Sequence, residues 1–260
     1  MTKNNAIPEI LTHVDTGVMT LTINRLDKKN SITAAMYAAM ADALAAAAQD
    51  SAVRVLVIQG HETIFSAGND IGDFLNAPPS SPDAPVFRFL RGISSFAKPV
   101  VAAVCGPAVG IGTTMLLHCD LIFAGDNATF SMPFVNLGLC PEAASSLLVP
   151  QLMGYPRAAE VLLLGEPFTA ETALEMGLIN RIVPPAEASA LAHQQAKKLA
   201  TKPLNAIIET KRLLKRSTAK QVTERIGEEA LSLGRMLGEP AAREAFTAFM
   251  QKRKPDFSNV

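Results

Sequence analysis

The chain has 260 residues, 48% of them hydrophobic, and its 24 basic side chains balance 24 acidic ones. This composition is sufficient for a large buried core and is unlike that of disordered chains. The zero net charge argues against a nucleic-acid partner, which usually requires a basic excess. Three cysteines are too few for a disulfide framework and show no metal-ligand spacing, so we expect a reducing environment and no metal ion.

The sequence shows no targeting or membrane segment. Residues 1–15 are polar and lack both the apolar stretch of a signal peptide and the arginine-rich character of a transit sequence. The longest apolar stretch, residues 98–120, is interrupted by glycine and proline. We therefore expect a cytoplasmic protein with no membrane partner.

The N-terminal part of the chain predicts strands that alternate with helices. Apolar and polar residues alternate over residues 9–24, which predicts a β-hairpin around an Asp-Thr-Gly turn. Ser31 or Thr33 is positioned to cap an alanine-rich helix that follows it. Next along the chain we expect a strand at 53–60, a short helix near 71–75, a helix at 86–97 and a strand at 100–106.

The C-terminal part becomes helical. After a strand, a tight turn and a short strand at 121–133, the pattern predicts helices at 142–153, 156–164 and 170–176 and a last strand at 179–184. Residues 187–251 read as successive helices, broken at Thr-Lys-Pro and Gly-Glu-Pro. The pattern indicates an α/β fold with a core over residues 1–195 and a C-terminal helical region over residues 196–260.

Two glycine-containing turns follow predicted strands, at residues 65–74 and 105–114. Such turns leave backbone N–H groups unpaired and let a ligand approach the main chain. Neither turn fits a phosphate cradle, because no P-loop pattern is present and the Gly-Ile-Gly turn lacks the third glycine of a dinucleotide fingerprint. Together they suit an oxyanion hole, in which two backbone donors converge on one oxygen.

Four segments carry a resemblance to a known family: IFSAGNDIGDF (64–74), KPVVAAVCGPAVGIG (98–112), CDLIFAGDNATFSMP (119–133) and LGLCPEAASSLLVPQLMG (137–154). In this order and spacing they resemble the enoyl-CoA hydratase/isomerase (crotonase) superfamily, from about residue 10 to 255. The resemblance implies a spiral of ββα units whose C-terminal helices pack a homotrimer or a dimer of trimers. It also implies an acyl-CoA substrate, with coenzyme A as part of that substrate and no separate cofactor.

The resemblance also implies a set of site residues. The oxyanion donors would be the backbone N–H groups of Ala67 and Ile111, and Ile111 stands where many relatives have glycine. Lys28 and Lys29 follow the second strand, where the family often has a basic residue near the phosphates of coenzyme A. The residues expected to contact substrate are Lys28, Lys29, Ala67, Gly68, Asn69, Asp70, Ile71, Gly110 and Phe134.

The acidic residues distinguish between the reactions of this superfamily. Family members that hydrate a double bond use two glutamates, as far as the resemblance implies. In this chain the two corresponding positions hold Thr114 and Phe134. Hydration needs one group to activate water and another to deliver a proton, so efficient hydration by that route is not expected. The chain instead has Glu142, and the segment around it resembles the Δ3-Δ2-enoyl-CoA isomerase branch, particularly the peroxisomal type. One base suffices to shift a double bond from position 3 to position 2.

The environment of Glu142 leaves alternatives open. Phe134, Leu137, Leu139 and Leu147 could form a dry pocket that raises the pKa of this carboxyl, whereas a helix N-terminus would lower it. Glu142 could also be an ordinary acid at a helix start, as Asp70 and Asp73 are expected to be. The other interpretations are a hydratase or lyase that uses Glu142 with a bound water, a non-catalytic acyl-CoA-binding subunit, and a nucleotide-dependent oxidoreductase that rests only on the Gly-Ile-Gly turn.

Overall fold

The computed structural model describes residues 8–76, 81 and 83–260. In this part of the chain, nine strands form two sheets. The strands are β1 (Ile10–Asp15), β2 (Val18–Ile23), β3 (Val55–Gln59), β4 (Val100–Val104), β5 (Pro107–Val109), β6 (Leu121–Gly125), β7 (Thr129–Ser131), β8 (Phe168–Thr169) and β9 (Arg181–Val183).

The larger sheet has the strand order β1-β2-β3-β4-β6-β9. Its first two strands form the predicted hairpin, and all other neighbours are parallel. Thr16 and Gly17 close the hairpin with φ of 48° and 83°, the left-handed pair that a two-residue hairpin turn requires. β3 and β4 are almost wholly buried, which explains why they appear in the sequence as continuous apolar runs.

The smaller sheet was not foreseen from the sequence. β5 pairs with β7 in parallel, and β8 joins β7 in antiparallel register. The chain leaves the large sheet at Gly106, which has φ of 63° and lies so close to Thr63 that an added Cβ would come within 2.0 Å of its carbonyl oxygen. Only glycine fits there. The short strand predicted after the tight turn therefore pairs in a different sheet from the strand before it.

The described helices are α1 (Ala34–Gln49), α2 (Ile71–Asn76), α3 (Pro85–Ser95), α4 (Ile111–Thr114), α5 (Ser145–Met153), α6 (Tyr155–Ala159), α7 (Ala170–Glu175), α8 (Pro185–Ala200), α9 (Leu204–Lys215), α10 (Ala219–Met236) and α11 (Pro240–Met250). None of them is long and apolar enough to cross a membrane.

The helices cover the large sheet on both faces. α1 and α3 pack against each other over the main core, and α8 packs on the opposite face against valines of β2, β3 and β4. Of the two capping residues considered, Thr33 is the one that caps α1, since its hydroxyl accepts the N–H of Met36 at 3.2 Å. The α/β fold with a C-terminal helical region, α8–α11, is confirmed.

Two predicted helices differ from the structure. The helix predicted from Glu142 begins at Ser145, and the helix predicted over 156–164 divides into α6 and a wide π-helical turn over Glu160–Leu164. Residue 195, where we expect the core to end, lies within α8, whose alanines pack on the sheet. The division into a core and a C-terminal region at this residue stays a prediction.

The C-terminal region is joined to the core through a buried lysine. Lys211 of α9 is 8% exposed, and its Nζ donates to the carbonyl of Lys98 at 2.8 Å and to the carboxylate of Asp120 at 2.6 Å. Asp120 also accepts the N–H of Val100 at 2.7 Å, next to β4 and β6. This lysine therefore ties α9 to the edge of two central strands.

Replacing Lys211 with alanine should destabilise the fold, because Asp120 and the Lys98 carbonyl then lose a buried charged donor. We expect the free energy of unfolding to fall by about 2–3 kcal/mol in urea titrations at pH 7. Lys220→Ala is the control, since the Lys220 side chain is 89% exposed, and it should leave the midpoint unchanged. Equal midpoints for the two variants would contradict the role given to Lys211.

Candidate active site

The two glycine-containing turns lie directly against each other. Ser66 bridges to Ala108, and the N–H of Val109 donates to the carbonyl of Ser66 at 2.9 Å. Gly68, with φ of 88°, is so close that an added Cβ would come within 2.9 Å of the Val109 carbonyl oxygen. The glycine thus allows the two backbones to meet, and donors from both turns can point to one place.

In the first turn, the N–H group that the resemblance implies as an oxyanion donor already makes a hydrogen bond within the protein. The N–H of Ala67 donates to the carbonyl of Lys29 at 3.0 Å, that of Gly68 to Ser66 Oγ at 3.1 Å, and that of Asp70 to the carbonyl of Ile32 at 2.9 Å. Over residues 67–70, only the N–H of Asn69 has no hydrogen bond within the described structure. Asn69, rather than Ala67, therefore offers the free donor.

In the second turn, the free donor lies where the sequence placed it. Gly110 has φ of 55° and donates its N–H to the carbonyl of Ser131 at 2.9 Å, and α4 begins at the next residue, Ile111. The first N–H groups of a helix have no partner within the helix. The Ile111 side chain belongs to the main core, so it is compatible with a backbone N–H that has no partner in the helix.

A cavity of about 500 Å³ opens over these donors, a size typical of small-molecule sites. The C-terminal region, which the sequence did not implicate, closes it with Leu233 of α10 and Phe246 and Phe249 of α11. All residues predicted to contact substrate or to form the oxyanion hole line this cavity: Lys28, Lys29, Ala67, Gly68, Asn69, Asp70, Ile71, Gly110, Ile111 and Phe134.

The charged residues of the cavity have different roles. Lys28 and Lys29 are exposed at its edge, available to an anionic ligand. Asp70 is anchored by Arg25, whose guanidinium lies 2.7 Å from its carboxylate and lowers the pKa of Asp70. Asp70 accepts the N–H of Asp73 at 3.0 Å, so its predicted capping role is confirmed, whereas Asp73 accepts the N–H of Ala34 and caps α1 instead.

Glu142 lies in a small void next to the cavity rather than in its wall. The void has a volume of about 10 Å³, and Phe74 and Leu233 line both it and the cavity. The carboxyl is 7% exposed, and its Oε1 atom has no hydrogen-bond partner in the described structure. Its apolar walls come from α2, α3 and α10, whereas the predicted wall residues Phe134, Leu137 and Leu139 line the main cavity.

Burial, rather than the helix dipole, controls the protonation of Glu142. Desolvation, followed by the nearby charge of Glu229, raises the pKa of Glu142 from 4.5 to about 8. α5 begins three residues later, and the N–H groups at its start donate to Glu229 instead. No pattern in the sequence predicts this role, because Glu228 and Glu229 occupy adjacent positions on the same amphipathic helix.

A buried tyrosine connects Glu142 with the oxyanion turn. The Tyr37 hydroxyl donates to Asn69 Oδ1 at 2.5 Å, and burial together with the charge of Glu142 raises the pKa of Tyr37 well above its ordinary value. The carboxyl therefore lies within electrostatic range of the group that fixes Asn69. Sequence reasoning missed Tyr37, because an aromatic residue in an alanine-rich helix is indistinguishable from core packing.

The remaining polar residues support a site built on one carboxyl. Thr114 is wholly buried, and its hydroxyl has no partner in the described structure. His118 is also buried, and its Nε2 donates to the carbonyl of Ala143 at 2.9 Å. Among the described residues, no three histidine, cysteine or acidic side chains lie together as a metal ion would require.

Comparison with known proteins identifies the relatives of this chain. A family model described as enoyl-CoA hydratase/isomerase matches residues 13–259. The chain is 36% identical to the 1,2-epoxyphenylacetyl-CoA isomerase of Escherichia coli (strain K12), over 96% of this chain and 98% of that protein. It is 36% identical to enoyl-CoA delta isomerase 2 of Rattus norvegicus over 95% of this chain, which spans 64% of that protein.

Other relatives differ in reaction but share the fold. The chain is 30% identical to the 2,3-dehydroadipyl-CoA hydratase of Escherichia coli (strain K12), over 96% of this chain and 98% of that protein. The solved structure of Pseudomonas aeruginosa OdaA superimposes with a TM-score of 0.91 at 47% identity, over 93% of this chain and 98% of that one. The likeness in fold therefore spans more than one named activity.

The raised pKa of Glu142 predicts how pH changes stability. A carboxyl that binds its proton more tightly when folded stabilises the protein at low pH, and this contribution is lost as pH rises from about 4.5 to about 8. Glu142→Gln cannot ionise, so we expect its melting temperature to exceed that of the unmodified protein by at least about 4 °C at pH 8.5 and to match it near pH 5. A constant difference across this range, measured by scanning calorimetry, would contradict the assignment.

Proposed function

Because the chain belongs to the enoyl-CoA hydratase/isomerase (crotonase) family and is a CoA-thioester enzyme of that type, we propose that it moves the double bond of a 3-enoyl-CoA to the trans-2 position. The observation that carries this proposal is the buried carboxyl of Glu142, which lies next to a cavity lined by Asn69 and Ile111 with their unpaired backbone N–H groups. The names of two relatives, both isomerases of CoA esters, support it.

In the proposed reaction Glu142 is both base and acid. Its carboxylate removes a proton from C2, and the electron pair moves into the thioester, whose oxygen becomes an enolate. The N–H groups of Asn69 and Ile111 stabilise that oxygen. The protonated carboxyl then returns the proton to C4 as the double bond forms between C2 and C3. Proton transfer of this kind contributes ~100- to 10,000-fold and one oxyanion donor ~100- to 1,000-fold to the rate.

The site also suggests how the substrate lies. Phe74 and Leu233 line both the main cavity and the void at Glu142. A thioester oxygen at the oxyanion donors would therefore direct C2–C4 of the acyl chain between these two side chains, toward the carboxyl. Lys28 and Lys29, at the exposed edge, are suited to the phosphates of coenzyme A. The homotrimer or dimer of trimers and the cytoplasmic location stay predictions.

A hydratase that uses Glu142 with a bound water is the second candidate, since one relative is named as a hydratase. Thr114 and Phe134 argue against it, because neither can exchange a proton as a carboxylate does. Loss of conjugated absorbance on incubation with crotonyl-CoA would favour hydration. The oxidoreductase interpretation has no support beyond the Gly-Ile-Gly turn.

Removing the ionisable group of Glu142 should abolish isomerisation while the fold persists. For Glu142→Gln we expect kcat to fall by ~100- to 10,000-fold, because Asp70, the carboxyl that lines the cavity among the described residues, is held by Arg25. The assay follows the ultraviolet absorbance of the conjugated product, and circular dichroism monitors the fold. Glu175→Gln, at an exposed position, is the matched control. Near-normal turnover by Glu142→Gln would disprove the assignment.

The activity should also depend on pH in the way that a raised pKa dictates. The base must be deprotonated, so kcat/KM should rise with pH and level off above about 8, with a midpoint far above the ordinary value of 4.5. The measurement is kcat/KM for a 3-enoyl-CoA between pH 5.5 and 9.5. A profile that is already flat from pH 5.5 upward would mean that the carboxyl is not buried in the working enzyme.

A further inference from the structure

A second buried carboxylate, Glu229, has its hydrogen-bonding capacity met by donors on the segment that carries Glu142. It belongs to α10 and is 6% exposed. Its Oε2 accepts the N–H of Ala144 at 2.6 Å, and its Oε1 accepts the N–H of Ser146 at 2.9 Å and the Ser146 hydroxyl at 2.5 Å. Arg225, on the same helix, donates to Ser146 Oγ at 3.1 Å. Burial raises the pKa of Glu229 above its ordinary value, and these three donors together with Arg225 act in the opposite direction, in favour of the anion.

The segment that Glu229 contacts has a strained conformation. Ala143 and Ala144 have φ of 62° and 56°, the left-handed region that residues with a Cβ adopt at a cost of about 1–2 kcal/mol each. Tertiary contacts hold them there: His118 donates to the carbonyl of Ala143 at 2.9 Å, and Glu229 accepts the next N–H. The direction of the chain between Glu142 and α5 therefore depends on these two side chains.

The same contacts determine which acid benefits from the helix N-terminus. The first N–H groups of a helix favour a nearby anion. At α5 they donate to Glu229, whereas the Oε1 atom of Glu142 has no donor in the part of the chain that the structure describes. Glu142 and Glu229 both line the small void, so the charge of one acts on the other. The two carboxyls thus have opposite environments, one with donors and one without.

Few other charged or titratable groups face Glu142. α3 presents the apolar residues Val86, Phe87 and Leu90 to the void. His118 contacts the neighbouring carbonyl, but burial lowers its pKa to about 4, so it is neutral at physiological pH. The titratable groups that interact with Glu142 are Tyr37 from α1, Cys140 from its own segment and Glu229 from α10.

We propose that Glu229 is a positioning residue for Glu142: its carboxylate occupies the N-terminus of α5, holds the Ala143–Ala144 turn, and by its charge keeps Glu142 strongly basic. The kinetic consequence of this inference rests on the proposed function, whereas its structural part does not. A residue that merely caps α5 would change stability but would not change the pH at which Glu142 titrates.

The kinetic test separates the effect of the Glu229 charge from the effect of the length of its side chain. Glu229→Gln removes the charge, so the midpoint of the pH dependence of kcat/KM should fall by at least about half a unit. Glu229→Asp keeps the charge but shortens the side chain, so the midpoint should stay and kcat should fall by ~10-fold or more with KM within about 3-fold. Glu224→Gln, on the exposed side of the same helix, should match the unmodified protein.

Two results would overturn the inference. One is a Glu229→Gln variant whose midpoint equals that of Glu224→Gln. The other is a Glu229→Asp variant with unchanged kcat, and this second result decides the matter if Glu229→Gln does not fold.

A stability measurement tests the same inference without any substrate. The gap in melting temperature between the unmodified protein and Glu142→Gln at pH 8.5 measures how much the ionisation of Glu142 destabilises the fold. In the Glu229→Gln background we expect this gap to be at most half as large. A reduced gap in a protein that does not isomerise any 3-enoyl-CoA would disprove the proposed function and support this inference. An unchanged gap in an active enzyme would disprove this inference alone.

Discussion

One physical constraint underlies the site: the Glu142 carboxyl is buried where its Oε1 atom meets no hydrogen-bond donor among the described residues. An ionised carboxylate in such a place is costly, so the group holds its proton until the pH reaches about 8. The same cost makes the carboxylate a strong base once it forms. A weak carbon acid such as C2 of a thioester requires such a base, together with donors that stabilise the enolate oxygen.

The rest of the structure maintains that constraint. The C-terminal region supplies Leu233 to the wall and Glu229 to the neighbouring turn, and Lys211 ties this region to the core. Donors that would otherwise stabilise a Glu142 anion are engaged by Glu229. The backbones of the two oxyanion turns must lie close together, and Gly68 allows this because it has no Cβ. The C-terminal helices therefore belong to the chemistry of the site as much as to the packing of the chain.

The sequence predicted those features that depend on local pattern. Strand ends and glycine patterns predicted the two turns, and the family resemblance implied the cavity residues and Glu142, because each of these is recognised from a few adjacent residues. Features that depend on distant segments were not predictable. Asn69 rather than Ala67 offers the free donor because the carbonyl of Lys29, more than thirty residues earlier in the chain, accepts the N–H of Ala67. The start of α5 at Ser145 and the role of Glu229 likewise arise from α10, which is more than eighty residues away.

The central claim is that one buried carboxyl, shielded from water, carries the proton from C2 to C4. Isomerisation of an unlabelled 3-enoyl-CoA in deuterium oxide, with the first product analysed by NMR before equilibrium, tests this most directly. We predict that most product molecules carry two protium atoms at C4, because the proton taken from C2 is returned before it exchanges with solvent. One deuterium at C4 in nearly every product molecule from the first turnover would contradict this, since the transferred proton would then come from water or from a second group.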